Sequence, residues 1–384
     1  MSGRDVLGVM PTGAGKSICY QIPAMLLNGI TLVVSPLISL MKDQVAGLRQ
    51  VGLPAAFINS SLTAAQYREV LRRAHDGRYK IIYIAPERLG AEAFLNFALE
   101  TPIALVAVDE AHCVSQWGQD FRPSYLKIAV FIKKLTIRPV IGAFTATATA
   151  EVKSDIINLL GLRDPLSLTT GFDRPNLYFK VARPKYKTAF FFEFIAERYG
   201  KCGIIYCATR RTVDSVCAEL LKRGISAARY HAGLEDDERR RNQEAFIQGE
   251  ATVMVATNAF GMGIDKPDVR FVLHYNMPKN MESYYQEAGR AGRDGEASEC
   301  VLMFSNDDIK TAELLIRSAG GSGELTERER RAISRRDVKR LDKMIRYCEI
   351  DGCLRAYMLN YFGEKSGKRC GNCGNCRSEG KWRL

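Results

Sequence analysis

The stretch Met10-Pro11-Thr12-Gly13-Ala14-Gly15-Lys16-Ser17 follows the short apolar run Asp5 to Val9 and constrains the chain more than any other. A strand, a glycine turn and a helix start, in that order, make backbone N–H groups converge on a phosphate chain. Gly13 and Gly15 let the backbone wrap closely around anionic oxygens. Lys16 can reach the terminal phosphates, and Ser17 offers a hydroxyl to Mg²⁺. The stretch reads as a nucleoside triphosphate site with Thr12, Gly13, Ala14, Gly15, Lys16 and Ser17 as its contacts.

The rest of the chain supplies a scaffold for such a site. From Asp5 to about Gly171, short apolar runs at Ile30 to Ser35, Ile81 to Ala85, Ala104 to Val108 and Val140 to Phe144 lack strict alternation, as buried parallel strands should. Helical stretches such as Ser39 to Val51 and Ala64 to Asp76 lie between them, which predicts a doubly wound α/β lobe. The turn-forming cluster Gly171-Phe172-Asp173-Arg174-Pro175-Asn176 then separates a second alternating series. Its strands are expected at Gly203 to Cys207, Ala251 to Ala256 and Phe271 to His274, its helices at Thr212 to Arg223 and Asp236 to Gln248. Two such lobes let a nucleotide sit in a cleft that opens and closes. At 384 residues two or three domains are expected, here 1–171, 172–310 and 311–384.

Ala104 to Val108 delivers Asp109-Glu110-Ala111-His112 at its C-terminal edge, where open α/β sheets place ligand chemistry. Asp109 would hold Mg²⁺ through water, and Glu110 would polarise the water that attacks the γ-phosphoryl group. Beyond them, Trp117, Phe121 and Tyr125 lie near Arg122, a set suited to stacking on bases and holding phosphates. The alternative for these aromatics is a small core cluster.

The run Asp109-Glu110-Ala111-His112-Cys113-Val114-Ser115-Gln116-Trp117-Gly118-Gln119-Asp120-Phe121-Arg122-Pro123 resembles the box and aromatic-rich loop of the RecQ family of DNA helicases. The resemblance implies that this loop couples DNA contact to ATP hydrolysis, with His112 in the relay and Trp117, Phe121 and Arg122 sensing DNA. Gln119 stands where the family usually has histidine, and glutamine cannot titrate near neutrality, so altered coupling is expected. The Pro11 to Ser17 core is similar to that of superfamily 2 helicases, and Ala143 to Thr149 resembles their threonine-alanine-threonine motif. Ser35 to Gln44 and Ala85 to Arg88 resemble family segments that touch the DNA backbone.

In the second series, Ala256 to Arg270 has glycines suited to close approach of a ligand, and Asp265 suits a ribose hydroxyl or the opposing lobe. Tyr284-Tyr285-Gln286-Glu287-Ala288-Gly289-Arg290-Ala291-Gly292-Arg293-Asp294-Gly295 resembles the family's last helicase motif, which adds Gln286 to the ATP contacts. The spacing of Arg290 and Arg293 puts both on one helical face, within reach of the γ-phosphate. Arg293 is taken as the arginine finger and Arg290 as its partner.

Thr326 to Glu349 reads as a basic amphipathic helix with Ile333, Leu341, Ile345 and Cys348 inward and its charges in solvent, with a dedicated DNA groove as the competing reading of the charged face. Cys353, Cys370, Cys373 and Cys376 follow at spacing C-x16-C-x2-C-x2-C. Four soft thiolates select Zn²⁺ in a closed structural site, with an iron–sulfur cluster as the competing reading. The other seven cysteines are scattered singly, as reduced thiols are. The same spacing marks the family's zinc-binding subdomain.

Together these readings predict an α/β protein of two tandem RecA-like parallel-sheet lobes followed by a helical zinc-binding subdomain. The resemblance implies an ATP-dependent 3′ to 5′ DNA helicase of recombination and repair, using ATP, Mg²⁺ and structural Zn²⁺ on single-stranded and partly duplex DNA. A net charge of +12 favours a polyanionic partner. No apolar run spans a bilayer and Met1 to Asp5 carries no signal region, so a cytoplasmic, nucleoid-associated protein without a membrane partner is expected. Single-strand-binding or recombination proteins are partners that the residues do not identify. The family's adenine-reading segment upstream of the phosphate loop, its winged helix and its C-terminal accessory module are not found in these residues. The alternative is therefore a DNA-binding protein with impaired or absent ATP hydrolysis. An RNA helicase of the aspartate-glutamate-alanine-aspartate type is disfavoured, because His112 replaces the last aspartate.

Overall fold

The computed structural model describes residues 3–11, 13–118, 121–260, 266–318 and 327–378, which divide into two compact units, Met1–Gly171 and Phe172–Leu384. The first unit runs β1 (Val6–Val9), α1 (Ile18–Leu26), β2 (Ile30–Val34), α2 (Ile38–Gln50), β3 (Ala55–Ile58), α3 (Ala64–His75), β4 (Ile81–Ile84) and α4 (Glu92–Glu100). It continues with β5 (Ile103–Val108), α5 (Leu126–Lys134), β6 (Val140–Thr145), α6 (Ala150–Leu160) and β7 (Leu166–Thr169). All pairings in its sheet are parallel, in the order β3-β4-β2-β5-β6-β1-β7. Every residue of β2 and β4 is buried, as strands covered on both faces require.

Local chemistry sets the helix ends. The Thr63 hydroxyl and the Gln66 side chain form a reciprocal capping box at α3. Thr149 caps α6, and Gly161 ends that helix at φ 67. The strand order matters most, since it sets β5, β6 and β1 side by side and brings their C-terminal ends to one edge. The Met10 N–H extends that ladder by donating to the Thr145 carbonyl at 3.0 Å.

The second unit runs β8 (Leu177–Ala182), α7 (Lys187–Ala196), β9 (Gly203–Tyr206), α8 (Arg210–Lys222), β10 (Ala227–Tyr230), α9 (Asp236–Gln248), β11 (Val253–Ala256) and β12 (Phe271–His274). It ends with α10 (Met281–Ala288), β13 (Ser298–Met303), α11 (Asn306–Ser318), α12 (Glu327–Glu349), α13 (Leu354–Tyr361) and α14 (Gly374–Ser378). Its sheet is also parallel, ordered β10-β11-β9-β12-β13-β8. An isolated bridge between Phe179 and Cys373 covers the edge strand β8 with the cysteine-bearing segment.

Two sequence expectations need correction here. Helix α10 stops at Ala288, so Arg290 and Arg293 lie in successive turns rather than on one helical face. Gly292 enforces that exit with φ 54, because an added Cβ would lie 2.5 Å from Asn176 Nδ2 and 2.7 Å from the Glu296 carbonyl. The second correction concerns α12. Its Leu341 and Cys348 are buried, Ile333 and Ile345 only partly so, and Arg336 and Arg340 are buried among them.

Candidate functional site

The phosphate loop leaves β1 and enters α1 with Gly13 at φ 84 and Gly15 at φ 77, a left-handed pair that side chains disfavour. Lys16 Nζ folds back to the Met10 carbonyl at 3.1 Å, and Ser17 precedes the first helical residue. Gly13, Ala14 and Gly15 are exposed, with Lys16 and Ser17 half-buried, so the loop is open to a ligand. Thr12 lies outside the described residues.

Asp109 and Glu110 leave the end of β5 beside this loop's strand neighbours, both largely buried. Burial first, then the Glu110 charge, pushes the Asp109 carboxyl up to about 7, while Lys16 pulls it back. The two acids and the lysine therefore act on one another's charge, and carboxylate oxygens with a neighbouring hydroxyl are donors that fit Mg²⁺. Glu110 takes φ 46 and ψ 46, a left-handed conformation costly for a residue with a Cβ. Its Oε2 lies 3.3 Å from His112 Nδ1, which is also 2.9 Å from Thr145 Oγ1 at the end of β6. Burial opposes the charged imidazole, but Cys113 and Glu110 outweigh it and raise His112 to about 10. The Thr145 hydroxyl in turn donates to the Thr147 carbonyl at 3.1 Å, so the threonine-alanine-threonine segment is tied to the acids through one histidine.

The aromatic stretch splits between surface and core. Trp117 is 50% exposed, and Phe121 and Arg122 are half-buried. Arg122 Nη1 donates to the Pro36 carbonyl at 3.2 Å, which joins this loop to the segment after β2. Tyr125 is not a surface ring: it is fully buried and its hydroxyl donates to the Asp109 carbonyl at 2.9 Å. Gln119 lies outside the described residues.

In the second unit Arg290 is buried and Arg293 half-buried. Arg174 donates to the carbonyls of Ala291 and Gly292 at 3.0 and 2.7 Å, and Asn176 Nδ2 to that of Gly292 at 2.8 Å, which staples the arginine turn to the start of the unit. Gln286 is buried on α10, and Asp265 lies outside the described residues.

Cys353, Cys370, Cys373 and Cys376 hold all four sulfurs within 4.8 Å of one another, with the Cys353 and Cys373 sulfurs 3.9 Å apart. A tetrahedral zinc shell with Zn–S of about 2.3 Å places sulfurs roughly 3.8 Å apart, so the cluster fits that ion. Backbone N–H groups face two of the sulfurs: Ala356 N donates to Cys353 Sγ at 3.4 Å and Asn372 N to Cys370 Sγ at 3.3 Å. Burial opposes ionisation of Cys376, but the N–H groups of Cys370 and Gly371 bring it down to about 7.

Three family profiles match the chain: DEAD/DEAH box helicase over 1–155, helicase conserved C-terminal domain over 186–295, and RecQ zinc-binding over 306–377. The ATP-dependent DNA helicase RecQ of Bacillus subtilis is 50% identical over 368 residues, which cover 96% of this chain and 61% of that protein. The chain belongs to the RecQ family. The ATP-dependent helicase SGS1 of Saccharomyces cerevisiae is 41% identical, covering 98% of this chain and 26% of its own length. The chain thus spans about three fifths of the bacterial RecQ relatives it matches, here 61%, 59% and 58%. Among solved structures, the DEAD-box helicase Mss116 bound to ssRNA superposes with TM-score 0.68 at 17% identity, over 94% of this chain and 84% of that one. Helicase Lhr of Mycobacterium smegmatis bound to ssDNA gives 0.62 at 17% identity, over 90% and 54%. These structural likenesses show the fold, two parallel-sheet lobes of the helicase kind. Among the described residues no helix is long and apolar enough to cross a membrane.

Several residues of this RecQ-family chain act through contacts that spacing does not reveal. Arg174, Asn176 and Thr145 gave no signal beyond their place in turn-rich or small-residue stretches. Arg355 did carry one, a lone arginine in the apolar helix α13. It is buried, and it donates to the Asp173 carboxylate and the carbonyls of Arg174 and Leu177.

Proposed function

We propose that this chain is an ATP-dependent DNA translocase and helicase that moves 3′ to 5′ on single-stranded DNA and opens duplexes in recombination and repair. The single observation that carries this reading is the buried His112 side chain between Glu110 and Thr145, at the base of the loop that bears Trp117. A group that contacts DNA and a group that activates water are thereby only a few side chains apart. In this reading 1–171 is the first lobe, 172–310 the second and 311–384 the four-cysteine subdomain.

Lys16 neutralises the terminal phosphates, and Gly13, Ala14 and Gly15 present backbone N–H groups to them, with Thr12, Gln286 and Asp265 completing the nucleotide contacts. Ser17 and Asp109 would hold Mg²⁺, which would supply positive charge to offset that of the phosphates. Glu110 orients the attacking water and accepts its proton. Arg290 and Arg293 stabilise charge on the transferred phosphoryl group, a contribution of about 10³ to 10⁵ in rate for such arginines. Trp117, Phe121 and Arg122 bind DNA, in a protein that works in the cytoplasm on the nucleoid.

Steady-state ATP hydrolysis with and without single-stranded DNA, alongside Glu110→Gln, tests the reading. Stimulation by DNA that disappears in the variant is expected. DNA binding without hydrolysis, or equal stimulation by RNA, would overturn it.

A further inference from the structure

The second unit holds a cavity of about 700 Å³ at the margin of its sheet, walled by β8 and β13, by α7, and by the segment that carries Asn372 and Arg377. Asn176, Lys201, Arg270 and Ser298 border it, and these residues precede or open β8, β9, β12 and β13. The cavity therefore lies at the N-terminal edge of the parallel sheet, opposite the edge where open α/β folds place nucleotide chemistry. Its size is that of a small-ligand site.

The charges around it are unevenly matched. Arg198 is paired with Glu197 at 2.9 Å and with Glu299 at 2.6 Å, and Arg270 is paired with Asp294. Lys180, Lys201 and Arg377 have no ion pair among the described residues, and of the lining carboxylates only Glu193 is left so. Arg377 is held in place without being neutralised. Its guanidinium carbon lies 4.7 Å from the centroid of the half-buried Tyr178 ring, and its Nη2 donates to Asn372 Oδ1 at 2.7 Å. Asn372 is fixed in turn, its Nδ2 donating to the Pro175 carbonyl at 3.1 Å. Across the groove wall, Lys180 Nζ lies 5.8 Å from the Phe190 centroid.

We infer that this cavity binds the phosphate monoester of a nucleotide, with Arg377 as its forked contact and Lys180 and Lys201 as neutralising charges. A phosphate monoester carries about −1.5 to −2 at neutral pH. Three unpaired cations against one unpaired carboxylate leave a surplus that such a dianion offsets, whereas a phosphodiester or a carboxylate brings a single charge. A planar guanidinium meets two phosphate oxygens at once. The Tyr178 and Phe190 rings give an aromatic base a surface to pack on. The nucleotide is either free or the 5′ end of a strand, and the inference holds whether or not the chain hydrolyses ATP.

Titration calorimetry in a Lys16→Ala background, which removes the lysine of the other phosphate site, tests it. The probes are thymidine 5′-monophosphate and a single-stranded oligonucleotide with either a 5′-phosphate or a 5′-hydroxyl. The monophosphate is expected to bind, and Arg377→Gln to weaken it roughly tenfold, the scale of one charge-assisted hydrogen bond. Lys180→Gln and Lys201→Gln should each weaken it about threefold, as exposed charge pairs do. Lys222→Gln, an exposed lysine outside the cavity, should leave binding unchanged. A 5′-phosphate preference that Arg377→Gln abolishes identifies the ligand as a strand end, and equal binding of the two oligonucleotides identifies it as the free nucleotide. Failure of the monophosphate to bind, or equal binding in Arg377→Gln, overturns the inference. Equal weakening by Lys222→Gln overturns it too, since attraction to the basic chain as a whole would then suffice.

Discussion

His112 Nδ1 lies 2.9 Å from Thr145 Oγ1, and both residues are buried, so the turn after β5 is fastened to the end of β6 by one side-chain bond. Thr145→Val preserves the volume and removes the bond. The loss of a buried hydrogen bond should cost about 1–3 kcal/mol, read as a lower urea midpoint. Stimulation of ATP hydrolysis by DNA should fall in the same variant. A midpoint and a stimulation ratio both equal to those of the unaltered chain would refute the link.

Asp5 offers a stability test away from the chemistry. Its carboxylate is 2% exposed, with Arg138 Nη2 at 2.6 Å, the Ile141 N–H at 2.9 Å and the Arg163 N–H at 2.7 Å. Burial alone would raise its pKa, yet Arg138 and these two N–H groups hold it below the usual carboxylate range. The unfolded chain therefore takes up the proton first as pH falls. The contribution is complete above the unfolded value of about 3.9 and is lost as pH drops through the folded value. Asp5→Ala should cost about 3–5 kcal/mol near neutrality, because it strands the partly buried Arg138. Its urea midpoint should also vary less with acid pH than that of the unaltered chain. Parallel pH profiles for the two proteins would exclude the assignment.

The two lobes were legible in the sequence because β2, β4, β5, β6, β9, β11 and β12 are apolar runs bounded by turns. Strands such as β7 and β10 were not, since Leu166–Thr169 is exposed throughout and Ala227–Tyr230 mixes polar and apolar residues at a sheet edge. The phosphate loop, the Asp109-Glu110 pair and the four cysteines declared themselves by residue type and spacing. What supports them did not. Thr145 reaches His112 across 33 positions, and Arg174 reaches Gly292 across 118. Such pairs depend on strand order and on turns, which local patterns leave unspecified. Tyr125 illustrates the reverse error: near two aromatics and an arginine in sequence, it is turned inward to bond the Asp109 carbonyl.

Trp117 is the aromatic of its loop with the most surface to offer, at 50% exposure. Trp117→Ala should leave the thermal midpoint within a degree or so, since little packing is lost. Affinity for single-stranded DNA should weaken by about 1–3 kcal/mol, the scale of one base stacked on an aromatic ring. Fluorescence titration with a labelled oligonucleotide checks it, and unchanged affinity would remove this ring from the DNA contact.

Metal removal should affect the second lobe as well as the cysteine segment. Cys373 bridges Phe179 on β8, and Asn372 Nδ2 donates to the Pro175 carbonyl at 3.1 Å, so the zinc shell and the sheet edge share backbone. Zinc in such sites contributes on the order of 10 kcal/mol to folding. Cys373→Ser should lower the bound zinc from one equivalent per chain and expose β8 to hydrogen exchange. Visible absorption characteristic of an iron–sulfur cluster in the purified protein would refute the zinc assignment.

Glu282 tests how α12 is fastened to α10. Its Oε1 accepts from Arg340 at 2.9 Å and from the Tyr361 hydroxyl at 2.8 Å, and both charged residues are buried. Moving two charges from water into a packed interior costs nearly what their attraction returns, so the pair contributes little net stability while each partner depends on the other. Glu282→Leu removes the carboxylate that accepts from the buried Arg340 at 2.9 Å, leaving Asp337 Oδ1 at 3.8 Å, and should cost up to about 3–5 kcal/mol. Adding Arg340→Met should recover most of that loss, since two apolar side chains of similar size satisfy the same space without desolvation. A double-mutant cycle on urea unfolding measures the coupling. Simple additivity of the two substitutions would mean that the two charges are held independently of each other.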